Sequence, residues 1–264
     1  MRLFAFSDFH LSGDPPTKPM DIFGENWANH REKIRRAWLE TITEDDACIL
    51  AGDLSWGNNL EEAMVDLKWI AALPGRKIIV RGNHDYWWDT VTKMTRETGG
   101  AFEFLHNNVI RVGKWALVGT RGWLPETASN FSGNDRTILL REEGRMQRAI
   151  ELAQKEGARQ IMAVLHYPPY DDARRPTNML EILQKAGVPV CVFGHMHGKQ
   201  NFHDIPDRLL GVRLHLTSAD YLDFKPLLLC EDVDYELQIG RRPPALGLHL
   251  RRQSYRRIHL FSGK

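Results

Sequence analysis

Five short apolar segments of this chain end in side chains that can bind a metal ion or move a proton. Such runs of Ile, Val, Leu and Phe are typical of buried parallel strands. The segments are RLFAFSDFH with Asp8 and His10, ACILAGD with Asp53, KIIVRGNHD with Asn83, His84 and Asp85, IMAVLH with His166, and VCVFGHMH with His195 and His197. Because ligands of an open α/β sheet collect beyond the carboxyl ends of its strands, we expect one site. Carboxylate, amide and imidazole groups together bind transition-metal ions whose character ranges from hard to borderline.

The number of donors indicates more than one metal ion. Leaving His84 and Asp85 aside, the set holds two Asp, one Asn and four His. This total exceeds the roughly four ligands that one zinc ion takes, and it suits two ions that also share water. Two ions roughly 3.5–4 Å apart form the arrangement that enzymes use for displacement at phosphate esters. No cysteine takes part, which argues against a structural zinc site.

The bulk composition excludes several classes of protein. The 264 residues, 42% of them hydrophobic, suffice for one large α/β domain or two small ones. A net charge of +1 gives no global field that favours nucleic acid or acidic lipid. The three cysteines form no CxxC pair, so we expect reduced thiols. Without a spanning apolar run or room for a signal peptide, the chain is predicted to be cytoplasmic and soluble.

The order of predicted elements is βαβ at first and richer in strands later. Helices are predicted near residues 30–43, 59–72, 87–97, 137–156 and 177–186. VIRV and KWALVGT form a hairpin around Gly113-Lys114, and residues 210–217 and 226–231 form a final strand pair. Two packed sheets flanked by helices accommodate this order.

The chain beyond Glu236 differs in composition from the rest, because it is rich in arginine and holds no acidic residue. We therefore predict one domain over residues 1–236 and a basic C-terminal extension over 237–264. This extension is either a solvated tail or a contact for an anionic partner, such as nucleic acid, a phospholipid surface or a neighbouring subunit. The sequence leaves the oligomeric state open.

The five segments, in this order, resemble the signature of the metallophosphoesterases, or calcineurin-like phosphoesterases. The resemblance rests on DFH, GDL, GNHD, a later lone His and GHMH, from residue 8 to residue 197. It implies an α/β fold, a four-layer α/β/β/α sandwich of two mixed sheets flanked by helices. It also implies a dinuclear metal centre that hydrolyses phosphoric esters by means of a hydroxide bridging the two ions.

The resemblance also assigns roles to individual residues. The metal ligands that it implies are Asp8, His10 and His197 for the first ion, Asn83, His166 and His195 for the second, and Asp53 as the bridge. His84 would face the scissile phosphate as a general acid or charge stabiliser, and Asp85 would orient the ring of His84. Manganese and iron are the expected ions, with zinc and nickel as alternatives.

Differences from known subfamilies narrow the function without deciding between phosphate monoesters and diesters. Protein Ser/Thr phosphatases carry DRG after the GD motif, whereas this chain reads GDLSWG. The lipid A pathway diphosphatases carry arginine at the position of His84, and the repair nucleases have a large capping domain. Cyclic-nucleotide-type phosphodiesterases share all five motifs. The alternative from another class is a catalytically silent metal-binding scaffold, although every ligand and His84 are present.

Three residues near the motifs allow two interpretations each. Trp87 and Trp88 directly follow GNHD, and they either pack in the core or border the substrate. Arg121 lies in the segment GTRGW, where it forms a surface ion pair or reaches a phosphate oxygen. Core packing and a surface ion pair are the more common roles of such residues.

Overall fold

The computed structural model describes residues 1–233, which form two β-sheets packed face to face with helices on both outer sides. The strands are β1 (Leu3–Phe6), β2 (Ala47–Leu50), β3 (Arg76–Ile79), β4 (Glu103–Phe104), β5 (Val109–Val112), β6 (Trp115–Thr120), β7 (Gln160–Leu165), β8 (Val190–Phe193), β9 (Arg208–Leu209), β10 (Val212–Leu216) and β11 (Leu227–Cys230). The helices are α1 (His30–Thr41), α2 (Leu60–Ala71), α3 (Val91–Glu97), α4 (Gly133–Lys155) and α5 (Asn178–Lys185). The predicted boundary at residue 236 and the extension 237–264 lie outside the described residues.

Both sheets are mixed. The first has the strand order β11-β1-β2-β3-β4, in which β1 to β4 are parallel and β11 is antiparallel to β1. The second has the order β5-β6-β7-β8-β10-β9, in which β5 and β9 are antiparallel edge strands. Because crossover helices return the chain to the same side, the carboxyl ends of the parallel strands lie together.

The packing of side chains defines four layers. Along β1, successive side chains point to opposite faces of the sheet, as the period of two requires. Phe4 and Phe6 pack in the cluster that includes α1, α2 and α3, whereas Leu3 and Ala5 face the second sheet. Helices α4 and α5 cover the other side of the second sheet through apolar residues such as Met146. This α/β/β/α order confirms the predicted fold class.

Two segments differ from the predicted elements. The third helix begins at Val91 rather than near residue 87, because the side chain of Thr90 caps it by accepting a hydrogen bond from Lys93 N. The last two long strands do not pair with each other, since β10 pairs with β8 and β11 pairs with β1. An apolar run identifies a strand, but its partner depends on the path of the connecting loop. Within residues 1–233, no helix has the length and apolar character needed to cross a bilayer.

The starts of β1 and β2 are joined by an ion pair whose loss should destabilise the fold. Arg2 Nη2 lies 2.6 Å from Asp46 Oδ2, and the same carboxylate accepts bonds from the backbone and hydroxyl of Thr43. We expect Asp46→Asn to lower the free energy of unfolding by about 2 kcal/mol, because charged hydrogen bonds are lost. Urea denaturation measures this difference, with Asp45→Asn as an exposed control.

The destabilisation should depend on pH with a defined sign. Burial raises the pKa of Asp46, but the bonds from Arg2 and Thr43 outweigh it and hold this pKa well below its usual range. The stabilising contribution is therefore complete above the unfolded pKa of about 3.9 and declines as the pH falls below that value. A difference between wild type and variant that stayed constant down to strongly acidic pH would contradict this origin.

Candidate metal centre

Loops from both sheets converge at the carboxyl ends of β1, β2, β3, β7 and β8. Asp8 N donates to Gly52 O at 2.9 Å and His10 N donates to Asp53 O at 3.0 Å, which joins the loops after β1 and β2. The amide of His195 donates to the carboxylate of Asp8 at 3.1 Å, which joins the two sheets. The structure therefore brings all five predicted segments together, although they belong to two sheets rather than one.

The backbone turns sharply where the side chains enter the site. Four of the predicted ligands have left-handed backbone angles, with φ of 60° at Asp8, 48° at His10, 54° at Asp53 and 71° at His195. Residues other than glycine rarely adopt this conformation, and such residues cluster at functional sites. Gly82 has a different function, because a Cβ there would collide with the carboxylate of Asp53. These tight turns thus direct the donor atoms into the site and bring them close together.

Asp8, His10 and His197 form a first group of donors that could hold an ion. His197 Nε2 lies 3.1 Å from Asp8 Oδ1 and 3.1 Å from His10 Nε2. His10 Nε2 lies 4.0 Å from Asp8 Oδ1. Two ligands that each lie about 2.1 Å from one ion are separated from each other by roughly 3 Å. The spacing of this group therefore fits a single ion.

A second group surrounds Asn83 and His166. Asn83 Oδ1 lies 2.6 Å from His166 Nε2 and 2.8 Å from His195 Nδ1. Asp53 Oδ2 lies 3.4 Å from His166 Nε2 and 3.8 Å from His10 Nε2, so this oxygen stands between the two groups. Asp8, Asp53 and His166 also have ligand atoms within 4.8 Å of one another. The donor set fits a second ion beside the first.

In two of the histidines, a hydrogen bond at Nδ1 orients the ring. His166 Nδ1 lies 2.9 Å from the carbonyl oxygen of Ala51. A carbonyl oxygen only accepts, so Nδ1 carries a proton and Nε2 is the nitrogen left facing Asp53. His197 Nδ1 lies 2.9 Å from Asp220 Oδ1, which leaves its Nε2 facing Asp8. In both rings Nε2 is therefore the nitrogen that is placed to bind a metal ion.

The electrostatics of the site favour cations. Asp8 is 0% exposed and Asp53 is 1% exposed, and buried carboxylates need compensating positive charge. Burial alone would lower the pKa of His166, but interactions led by the charge of Asp53 outweigh burial and raise this pKa to about 9. Asp8 likewise raises the pKa of His197 to about 10 against the effect of burial. Divalent ions could take the place of these protons and supply the positive charge that the two carboxylates need.

His84 lies beside the donors, but its ring is held differently from the prediction. Its amide donates to Asp53 Oδ1 at 2.7 Å, and its ring packs 4.4 Å from that of Trp56. Among the residues that the structure describes, Asp85 makes no hydrogen bond to this ring, so the predicted orientation of His84 by Asp85 is wrong. The hydroxyl of Tyr86 lies 3.4 Å from His84 Nδ1 instead.

Asp85 organises the backbone of the site. Its carboxylate is completely buried, and it accepts hydrogen bonds from the amides of Asp53, Leu54 and Gly82 and from Nε1 of Trp87. Burial raises the pKa of Asp85 to about 6, with a further contribution from the charge of Asp53. Asp85 therefore joins the loops after β2 and β3 and positions Asp53 rather than His84.

Asp220 is a site residue that the sequence analysis missed. Besides its contact with His197, its Oδ2 accepts a hydrogen bond from Gly198 N at 2.8 Å, and its side chain is 2% exposed. It follows β10 in the run VRLHLTSAD, whose strand alternates apolar residues with an arginine and a histidine and ends at Leu216. The continuous apolar run that identified the other segments is therefore absent here.

We expect Asp220→Asn to weaken metal binding by about 10- to 100-fold. The physical reason is that partners of metal-binding histidines fix the ring and raise its basicity, and their loss costs this much. Elemental analysis after dialysis against limiting metal measures the change. Asp223→Asn is the matched control, because the side chain of Asp223 is 87% exposed. Equal metal content in the two variants would contradict a role for Asp220.

Comparison with known proteins identifies the family. The model of the family "Calcineurin-like phosphoesterase" matches residues 1–199, about three quarters of the chain and a range that includes all the predicted ligands. The chain therefore belongs to the calcineurin-like phosphoesterases, whose general chemistry is metal-dependent hydrolysis of phosphoesters.

Individual relatives are more distant. The chain is 30% identical to the Gene 66 protein of Mycobacterium phage L5 over 79 residues, which are 30% of this chain and 37% of the phage protein. The chain thus spans little more than a third of that relative's length. A solved structure, the protein of unknown function AQ665 from Aquifex aeolicus, is similar with a TM-score of 0.48 and 17% identity. The alignment covers 86% of this chain and 94% of that one.

Proposed function

We propose that this protein is a hydrolase of phosphoric esters, either a phosphodiesterase or a phosphomonoesterase, that uses a dinuclear metal centre. The observation that carries the proposal is the position of Asp53. Its Oδ2 faces His10 of the first donor group and His166 of the second, whereas its Oδ1 is engaged by the amide of His84. A carboxylate oxygen between two sets of ligands is suited to bridge two ions.

The residues divide into those that hold the ions and those that act on the ester. The proposed ligands are Asp8, His10 and His197 for one ion, Asn83, His166 and His195 for the other, and Asp53 for both. Bound ions would neutralise the charge on phosphate oxygens and lower the pKa of a water molecule. His84, outside both groups, would donate a proton to the leaving oxygen or stabilise its charge.

The donor chemistry favours some metals without selecting one. Imidazole nitrogens with carboxylate and amide oxygens, and no thiolate, suit manganese or iron, and zinc or nickel also bind such sites. Elemental analysis of protein purified without chelator identifies the native ion. We expect about two ions per chain, in line with the two donor groups. A maximum of one ion per chain under saturating metal would contradict a dinuclear centre.

A panel of simple esters tests the proposed activity. Bis-p-nitrophenyl phosphate reports diester hydrolysis and p-nitrophenyl phosphate reports monoester hydrolysis, each assayed with manganese, iron, zinc and nickel. We expect turnover that disappears after chelation and returns after metal is restored. If the metal-loaded protein hydrolysed neither ester with any of these ions, the silent scaffold would be the better description.

A further inference from the structure

A cavity of about 440 Å³ is lined by several arginines. Arg81, Arg121 and Arg145 line it together with His106 and Trp88, and we call it the arginine pocket. Its volume lies within the range of roughly 300–1,000 Å³ that is common for small-molecule sites. The described residues of this pocket therefore combine the size of a ligand site with a concentration of positive charge.

Two of these arginines are not paired with a carboxylate in the described part of the chain. Within residues 1–233, neither Arg81 nor Arg121 forms an ion pair, and the Nε atom of each is buried without a hydrogen-bond partner. Of the two interpretations of Arg121, the surface ion pair does not form among the described residues, and the guanidinium instead lies 4.2 Å from the ring of Trp123. Burial, followed by the charge of Arg81, lowers the pKa of Arg121. Two like charges are held together at an energetic cost.

The acidic residues of the arginine pocket already have other partners. Glu142 accepts a hydrogen bond from Arg145 at 2.6 Å and another from the hydroxyl of Thr120. Asp89 pairs with Lys93 at 2.6 Å. The positive charge of Arg81 and Arg121 therefore remains available to a ligand. Planar guanidinium groups bind phosphate and carboxylate oxygens in a bidentate manner, so such a ligand is an anion.

The arginine pocket borders segments that carry proposed metal ligands. Arg81 follows β3 and lies two residues before Asn83 in the chain. The backbone oxygen of Arg121 accepts hydrogen bonds from the amides of His166 and Tyr167. Trp88 also contributes, as one of the two tryptophans after GNHD, whereas Trp87 is buried in the core. An anion in this pocket is therefore next to the loops that form the centre.

We propose that the arginine pocket is a second anion site, which binds a phosphate or carboxylate group other than the one attacked at the metal centre. The group belongs either to the substrate, as a second anionic substituent, or to a free anion. Arg81 and Arg121 bind its oxygens, and the relief of their mutual repulsion favours binding. The site requires neither bound metal nor turnover, so its test is independent of the proposed hydrolase activity.

Calorimetric titration of the full chain with inorganic pyrophosphate tests the site. The protein is freed of metal by chelation and dialysis, which removes the affinity that bound ions would contribute. We expect saturable binding to wild type and at least tenfold weaker binding to Arg81→Gln and to Arg121→Gln. Arg35→Gln, on the exposed surface of α1, is the matched control and should bind like wild type.

Thermal denaturation keeps the test valid if a variant folds poorly. We expect pyrophosphate to raise the Tm of wild type and of Arg35→Gln, because a ligand of the native state stabilises it. Without anion, Arg81→Gln should be at least as stable as wild type, since the repulsion with Arg121 is removed. Absence of saturable binding to wild type, or equal affinity in wild type and both pocket variants, would overturn the proposal.

Kinetics with metal-loaded protein distinguish the two sources of the anion. The probes are p-nitrophenyl thymidine 5′-phosphate and the same ester with an additional 3′-phosphate. If the substrate supplies the anion, wild type should have a higher kcat/KM for the ester with the additional 3′-phosphate than for the ester without it. This preference should be smaller in Arg121→Gln. If a free anion is bound, the ratio of the two kcat/KM values is the same in both proteins while pyrophosphate binding still depends on Arg121.

Discussion

Asp53→Asn is expected to abolish most of the hydrolytic activity and to reduce the bound metal below two ions per chain. The substitution preserves the shape of the side chain and the oxygen that accepts the amide of His84. It removes the negative charge at the atom between His10 and His166. Metal ions contribute several kcal/mol to phosphoryl displacement, and each 1.4 kcal/mol is a factor of ten, so kcat should fall by about 1,000-fold or more.

The control for this prediction is a buried carboxylate outside the donor groups. Asp66 is 1% exposed, and it accepts hydrogen bonds from the hydroxyl of Ser55 and the amide of Gly13. Asp66→Asn should therefore keep its metal ions, so it separates the loss of a ligand from the loss of any buried charge. Unchanged metal content in Asp53→Asn would show that Asp53 is not the bridge, whatever the activity.

His84→Ala is expected to show the opposite combination, with both metal ions retained and kcat reduced by about 100- to 10,000-fold. The loss corresponds to general acid catalysis or to stabilisation of charge on the leaving oxygen. Metal should be retained because only the backbone of His84 contacts Asp53, and the amide remains in the variant. Steady-state kinetics with bis-p-nitrophenyl phosphate, together with elemental analysis, measures both quantities on the same sample.

Tyr86→Phe provides the comparison for His84→Ala. The hydroxyl of Tyr86 lies 3.4 Å from His84 Nδ1, and Tyr86 is 53% exposed. A long, exposed contact contributes little, so we expect an effect on kcat of less than about tenfold. If His84→Ala lost metal, His84 would be a ligand. If it retained full activity, the proton would have to come from another group.

Periodicity and residue type were sufficient to find the helices, most of the strands and five segments of the site. Buried strands need apolar residues on both faces, so a carboxylate or imidazole at the end of such a run is conspicuous. This reasoning identified the segments of Asp8, Asp53 and His166, which the structure brings together. It did not find Asp220, which contacts His197, because β10 alternates apolar and polar residues and ends four residues earlier.

Side-chain direction in the loops could not be predicted in this way. Asp85 is adjacent to His84 in the chain, but its carboxylate faces the amides of Asp53 and Gly82. A residue in a turn follows neither the period of a strand nor that of a helix, so sequence distance says little about its contacts. Arg121 presents the same problem, because its surroundings come from β3 and α4 as well as from its own loop.

The sequence by itself determined which types of donor the site offers, because each donor closely follows an apolar run that can be recognised from neighbouring residues alone. The tertiary structure decided which donors share an ion and where uncompensated charge remains. Both depend on residues distant in the chain, such as His10 and His197, which lie 3.1 Å apart between Nε2 atoms. The arginine pocket is of the same kind, since Arg81 and Arg121 meet only where the two sheets are packed together.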